Sequence, residues 1–273
     1  MKIKTAFFLS LLISLLSCNL IQQKKENKET SSADKEDIRI VREYFDNGRI
    51  KSEIEAKGTL RHGITKNYSK TGILLSEVNF VNNKKEGPAV NYYASGKVHT
   101  RLMYKNGVKD GESIWYYESG KVFRINPFKN DKLNGTQKFY FENGKVMAEV
   151  PYMNGQPGIG LKEYSESGEL LKNYPVIQFE EDDQIYLHQS ITLKVSLSNK
   201  SSRVKFYIGN LLDGKFLDAK SIAIPVKGGV ARKEYKVMPN SKKNERINAI
   251  AVYTTNYGLP YVTQRTYNLS IAY

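Results

Sequence analysis

Apolar or small residues recur at every second position through four stretches in the first two thirds of the chain. The sets are Ile50, Ser52, Ile54, Ala56; Leu74, Ser76, Val78, Phe80; Val98, Thr100, Leu102, Tyr104; and Val146, Ala148, Val150, Tyr152. Period two places each set on one face of a β-strand. The intervening positions, such as Lys97, His99 and Arg101, or Lys51, Glu53 and Glu55, belong in water. A fifth stretch breaks the rule. Arg124 and Asn126 fall on the apolar face while Phe123 and Ile125 face outward, which predicts a bulge or twist there.

These stretches sit on a fixed rhythm. Tyr44, Tyr68, Tyr92, Tyr116, Tyr140 and Tyr164 are 24 residues apart, and each is followed four residues later by Gly48, Gly72, Gly96, Gly120, Gly144 or Gly168. A second series, Gly63, Gly87, Gly111 and Gly135, keeps the same spacing and predicts positions where the chain crosses the sheet closely. Asn106-Gly107 and Asn154-Gly155 accept positive φ at both central positions of a tight hairpin. A short unit of this kind cannot bury its own apolar face, so neighbours must stack. The prediction is an elongated, twisted β-meander of roughly twelve short strands over residues 38–174.

The units resemble a known family. Tyr116-Tyr117-Glu118-Ser119-Gly120-Lys121 and Tyr140-Phe141-Glu142-Asn143-Gly144-Lys145, with Asp110-Gly111 and Asn134-Gly135 leading the next strand, are similar to MORN-repeat variants. The resemblance implies a binding or spacing module without catalytic residues. Bacterial proteins of this type are often labelled antitoxin components of toxin–antitoxin systems, which implies neutralisation of a toxin by stoichiometric binding. The sixth unit departs from the pattern, with Ile159 at the second glycine position and an early end at Pro175, as suits a terminal cap.

Beyond Pro175 the rhythm stops. Short alternating segments follow, among them Ile191 to Leu197, Val204 to Ile208, Ile222 to Val226 and Tyr261 to Ile271, separated by turn-rich breaks. Such spacing predicts about seven strands in residues 175–273 and an immunoglobulin-like sandwich. The fold class is therefore all-β: a MORN-type hairpin meander followed by a sandwich, the two folding as separate units joined near Tyr174-Pro175. Glu180-Glu181-Asp182-Asp183 reads as a solvated bend at the junction, since consecutive carboxylates lack the spacing of a cation-binding loop.

The N-terminus adds an address. Met1-Lys2-Ile3-Lys4 precedes an apolar run from Ala6 to Leu16, too short to span a bilayer, and Leu15-Leu16-Ser17-Cys18 resembles a bacterial lipobox. Residues 1–17 are expected to be a lipoprotein signal peptide and Cys18, the only cysteine, the lipidated first residue of the mature chain. Residues 18–37 are polar, mixed in charge and expected to form a disordered tether. The expected location is the cell envelope, on the outer membrane, either periplasmic or surface-exposed.

Charge narrows the partners. The formal net charge is +14, with 22 basic against 15 acidic side chains in residues 38–174 and 14 against 8 in residues 175–273. The excess is spread over both parts with no concentrated stripe, which argues against nucleic acid and for a protein, a glycan or an anionic lipid headgroup. The chain is expected to be a monomer, to need no cofactor or metal and to be no enzyme. His62, His99 and His188 are far apart, and no nucleophile–base pairing suggests itself. A hydrolase of envelope polymers, with His188 as its base, is the remaining enzymatic alternative. The aromatics outside the tyrosine series, Tyr93, Trp115, Tyr117, Phe139 and Phe141, form the candidate binding surface.

Overall fold

The computed structural model describes residues 38–272; residues 1–37, on which the expected signal peptide, lipidated Cys18 and tether fall, lie outside the described residues. Residues 39–163 build one antiparallel sheet of 14 strands. Its first strands are β1 (Arg39–Tyr44), β2 (Ile50–Lys57), β3 (Leu60–Tyr68), β4 (Leu74–Val81), β5 (Lys84–Tyr92) and β6 (Val98–Lys105), each paired with the next. From the third unit onward every second strand is interrupted. β7 (Val108–Lys109) and β8 (Gly111–Tyr116) both lie on β6, and β9 (Val122–Lys129) carries β10 (Lys132–Leu133) and β11 (Gly135–Tyr140). The last strands are β12 (Val146–Met153), β13 (Gln156–Pro157) and β14 (Lys162–Glu163), the latter two both on β12.

Two turns alternate along this sheet. At one edge the Tyr93 amide donates to the Lys97 carbonyl and the Gly96 amide returns to Tyr93, at 2.8 and 2.9 Å. The same pair of bonds begins at Phe45, Ser69, Tyr117, Phe141 and Ser165. The first five of these turns close with a one-residue register shift, as between Asn91 and Tyr92, and all six carry a glycine in the left-handed region, 81° for Gly96. This explains the first glycine ladder: the turn demands positive φ, while a Cβ at Gly96 would meet nothing within 4 Å. At the opposite edge, tight two-residue hairpins use Asn82-Asn83, Asn106-Gly107, Asn130-Asp131 and Asn154-Gly155, all eight residues with positive φ.

The sheet face expected to be apolar is more polar than alternation suggests. Ser52, Thr65, Thr100, Ser113, Asn126 and Gln137 are buried on it. Side chains on this face bond across strands, Asn67 to Ser76 at 2.9 Å, Asn91 to Thr100 at 2.7 Å and Gln137 to Asn126 at 2.8 Å, while the buried Thr65 hydroxyl has no hydrogen-bond partner among the described residues. The bulge predicted at residues 123–126 is absent, because the register of β8 on β9 shifts only at Trp115/Tyr116, as in the other units. Asn126 stays inside, satisfied by Gln137, and Arg124 stacks on Trp115 with its guanidinium 4.3 Å from the ring centroid. Phe123 is not left in water but packs edge-on against Tyr117 and Phe139.

The periodic tyrosines work on the other face. Tyr68 donates its hydroxyl to Glu53 at 2.9 Å, and Tyr92 does the same to Glu77 at 2.6 Å. Burial first, and then this bond to a carboxylate, pushes the Tyr92 phenol up to about 12. A raised phenol favours the neutral folded form, so its contribution is fully present below the ordinary value of 10 and is lost as pH rises toward 12. Alkaline titration followed by phenolate absorbance should show Tyr92 ionising only as the repeat array unfolds. In Tyr92→Phe the alkaline unfolding midpoint should move upward; an unmoved midpoint would leave the Tyr92–Glu77 pair without influence.

Residues 175–272 form two facing four-stranded sheets. One contains β15 (Ile177–Gln184), β16 (Ser190–Leu197), β20 (Val230–Lys236) and β19 (Val226–Lys227) in that order. The other runs β18 (Ile222–Ile224), β17 (Val204–Ile208), β21 (Lys242–Thr254) and β22 (Pro260–Ala272). Leu193, Val195, Phe206, Ala249, Ala251 and Leu269, drawn from both sheets, fill the space between them. Glu180 to Asp183 are not a bend. They belong to β15, where Lys194 pairs with Glu180 and Asp182 at 3.2 and 3.1 Å and Tyr267 donates to Glu181. One helical turn, α1 (Ile185–His188), links β15 to β16.

The two parts share a core. Phe139, Ala148, Val150 and Leu161 from the repeats cluster with Leu259 from the sandwich. Tyr174 stacks on Tyr261 at 4.4 Å, and Phe141 meets Tyr257 edge-on at 6.2 Å. Ile159, at the second glycine position of the sixth unit, donates its amide to the Lys215 carbonyl instead of continuing the sheet.

Candidate docking surface on the repeat array

The hairpin tips of successive units touch one another. The amides of Asn83, Gly107, Asp131 and Gly155 donate to the carbonyls of Arg61, Lys85, Lys109 and Leu133, at 2.8 to 3.0 Å. Each bond ties one tip to the next, so the tips form a continuous edge with a repeat of about 10 Å, two strand spacings. Basic side chains line that edge. Arg61, Lys85 and Lys109 lie over Phe80, Tyr104 and Phe128, at 4.4, 4.8 and 5.2 Å from the centroids. Here the rings hold the cations in place. Lys84, Lys105, Lys129 and Lys132 are exposed beside them and form no ion pair among the described residues.

This row went unread in the sequence, where the basic excess looked evenly spread. The clue was present: Arg61, Lys85 and Lys109 share the 24-residue period, as do Phe80, Tyr104 and Phe128. Only the pairing of strands shows that the two series meet. Acidic neighbours point back into the tips, with Asp131 accepting from the Lys109 amide at 2.9 Å and Glu86 from the Asn106 amide at 2.7 Å. They fix the backbone more than they neutralise the lysines.

The sequence-selected aromatics are distributed differently. Tyr93 and Tyr117 prove periodic: their hydroxyls donate to the carbonyls of Tyr116 and Tyr140, at 2.6 and 2.7 Å, latching each turn to the next unit. Phe139 is 7% exposed and lies in the shared core, where it presents no surface to a partner. Phe141 faces Tyr257 of the sandwich. Trp115 is half-buried beneath Arg124, whose Nε has no hydrogen-bond partner and whose guanidinium burial holds below its usual value. Only Trp115 therefore combines partial exposure with an unused polar neighbour. Cys18 lies outside the described residues.

A groove of about 630 Å³ opens elsewhere on the array, lined by Pro88, Val90, Tyr92, Lys97, Arg101 and Tyr116 among others. A smaller one of about 500 Å³ lies two units earlier, around Arg49, Ile50 and Tyr68. The charged side chains lining both grooves are basic, Lys97 and Arg101 in the larger and Arg49 in the smaller. Along the strands, Glu53 and Glu77 bind the periodic tyrosines Tyr68 and Tyr92, and Arg101 occupies the equivalent place in the third unit. His99 stands next to this region against Tyr93, at 4.4 Å between ring centroids, while His62 contacts Asn82 and His188 ends α1. The three histidines are in three separate places.

A tandem array of antiparallel hairpins, joined edge to edge and closed by a sandwich, is a β-repeat scaffold. The MORN repeat variant family model matches it over four tandem units, residues 61–82, 85–106, 109–130 and 133–154. The glycine-turn hydrogen bonds occur six times, so the structural rhythm runs beyond the matched units at both ends. No curated protein matches the chain.

Proposed function

We propose that the chain is a non-catalytic, lipid-anchored envelope protein whose repeat array docks an anionic surface through its basic hairpin edge. The row of tip lysines carries this reading: like charges are held side by side at a regular spacing, without neutralising partners, on a scaffold too hydrogen-bonded to spread them apart. Cationic side chains near an anionic bilayer contribute about 1 kcal/mol each. Lipidation at Cys18 would hold the edge near such a surface, because one acyl signal and one electrostatic signal together give stable attachment. The C-terminal part is read as an immunoglobulin-like sandwich on its strand order, first-second-sixth-fifth facing fourth-third-seventh-eighth, and serves as the cap of the array.

The test uses Cys18→Ala, which removes the proposed anchor and isolates the electrostatics. This variant should leave the membrane fraction after a high-salt wash, yet bind phosphatidylglycerol vesicles at low salt in preference to phosphatidylcholine vesicles. Adding Lys105→Gln and Lys129→Gln should weaken that binding roughly 30-fold, from about 2 kcal/mol. Equal binding to both vesicle types, or no change in the triple variant, would overturn the proposal. Capture of a single stoichiometric protein by the same edge, in place of vesicles, would move the function to the antitoxin reading.

A further inference from the structure

Where the sixth repeat unit meets the sandwich, a carboxylate is buried without a counter-charge. Glu163, at the end of β14, is only 4% exposed. Its Oε2 accepts from the Tyr174 hydroxyl at 3.0 Å and its Oε1 from the Thr255 hydroxyl at 2.5 Å. Both donors are neutral, and no lysine, arginine or histidine pairs with Glu163 among the described residues. Arg203 stands nearby without pairing with Glu163: it binds Asn256 at 2.7 Å and the Tyr253 hydroxyl at 3.3 Å, with its guanidinium 5.7 Å from the Tyr253 ring centroid. Burying an ionised carboxylate is costly unless a positive charge compensates it. Two hydroxyls satisfy one lone pair on each oxygen and leave further acceptor capacity.

Beside this carboxylate lies a cavity of about 300 Å³, whose walls include Tyr174, Tyr253, Tyr257 and Asn256. Three aromatic side chains and a carboxylate around one small space form an environment for an organic cation. The rings are held in position. Tyr174 stacks on Tyr261 at an interplanar angle of 9°, and the Tyr257 hydroxyl donates to the Tyr164 carbonyl at 3.2 Å. Lys172 is exposed at the rim. Small-ligand sites favour such junctions, and the volume is at their lower end.

We propose that this junction pocket binds a primary alkylammonium group, with Glu163 as its counter-ion and the tyrosines as its walls. A primary ammonium is preferred over a quaternary one because its N–H donors can use the open acceptor positions of Glu163, which a quaternary ammonium cannot. The group can come from a free small amine or from a lysine side chain on a peptide. This site is independent of the basic edge, whose chemistry is opposite.

Calorimetric titration of the full chain with 1,4-diaminobutane, n-butanol and a peptide acetylated at its N-terminus and carrying one free lysine side chain tests it. Saturable binding of one amine per chain is expected, with no binding of the neutral alcohol. The two amine arms tell a free ligand from a protein-borne one. Glu163→Gln keeps the hydrogen-bonding shape and removes the charge, and should weaken binding roughly tenfold or more. Tyr257→Leu, at the more exposed wall, should weaken it several-fold and serves if Glu163→Gln fails to fold. Lys172→Gln should leave affinity unchanged or raise it, since it removes a like charge from the rim. Absence of saturable binding in both amine arms, or unchanged affinity in Glu163→Gln, overturns the proposal.

Discussion

Gly135→Val is expected to destabilise the repeat array by about 3 kcal/mol, combining backbone strain with overpacking. Gly135 has φ of 120°, a region closed to a β-branched residue, and a Cβ there would lie 3.1 Å from Cγ of Pro127. A proline ring on the facing strand has little freedom to retreat. Gly87 provides the contrast: φ is 73°, but a Cβ would meet nothing within 4 Å. Gly87→Ala should therefore cost only about 1 kcal/mol, from φ alone. Because each unit leans on its neighbours, the damage from Gly135→Val should spread across β8 to β12 and leave the sandwich protected. Hydrogen exchange by segment decides it. Unchanged protection across residues 111–153 would mean that the second glycine series carries no structural demand; Gly111, with φ of 105° and a Cβ position 3.4 Å from Met103, should give an intermediate result.

The second large effect lies at the joint between the two parts. Leu259→Ala should cost about 3 kcal/mol, the usual result of removing a buried leucine that its surroundings cannot replace. Leu259 is 7% exposed and is the sandwich's contribution to the cluster of Phe139, Ala148, Val150 and Leu161. Its loss should uncouple the last repeats from the sandwich, so that calorimetry resolves two transitions where the parent protein melts in a more concerted way. A single transition at the parental temperature would show that the cluster adds nothing to coupling. The same contact bears on modularity. Residues 175–273 alone would expose Leu259, Tyr257 and Tyr261 to water, and their stability as a fragment measures how much the shared cluster contributes.

Much of the array was legible because a 24-residue repeat leaves each turn the same chemical problem. The six glycines after the tyrosines report a backbone angle, which is a local property, and so they could be read without a fold. Asn106-Gly107 was equally plain. Asn82-Asn83 and Asn130-Asp131 make the same hairpin and could have been recognised, since Asn and Asp tolerate positive φ almost as their glycine counterparts do. In the sandwich the alternating segments around Leu193, Phe206 and Leu269 were visible, while the acidic run of β15 was not. Glu180 and Asp182 lie on one side of that strand because Lys194 of the neighbouring strand neutralises them, and Glu181 is met by Tyr267. No local pattern predicts such a partner.

By itself, then, the sequence determined the turns, the period, the alternation of the strands and the all-β class, all of which follow from interactions within a few residues. Tertiary structure alone decided what those strands bring together. It placed Lys85 on Tyr104 and Lys109 on Phe128, turning a dispersed charge excess into a row. It joined Glu163 to Thr255 across 92 residues, and set Tyr174 against Tyr261 to wall a pocket between two parts that read as separate. The physical reason is range. A turn or a strand is stabilised by its own backbone and nearest neighbours, whereas the charge and shape of a site depend on side chains that meet only after distant segments pack.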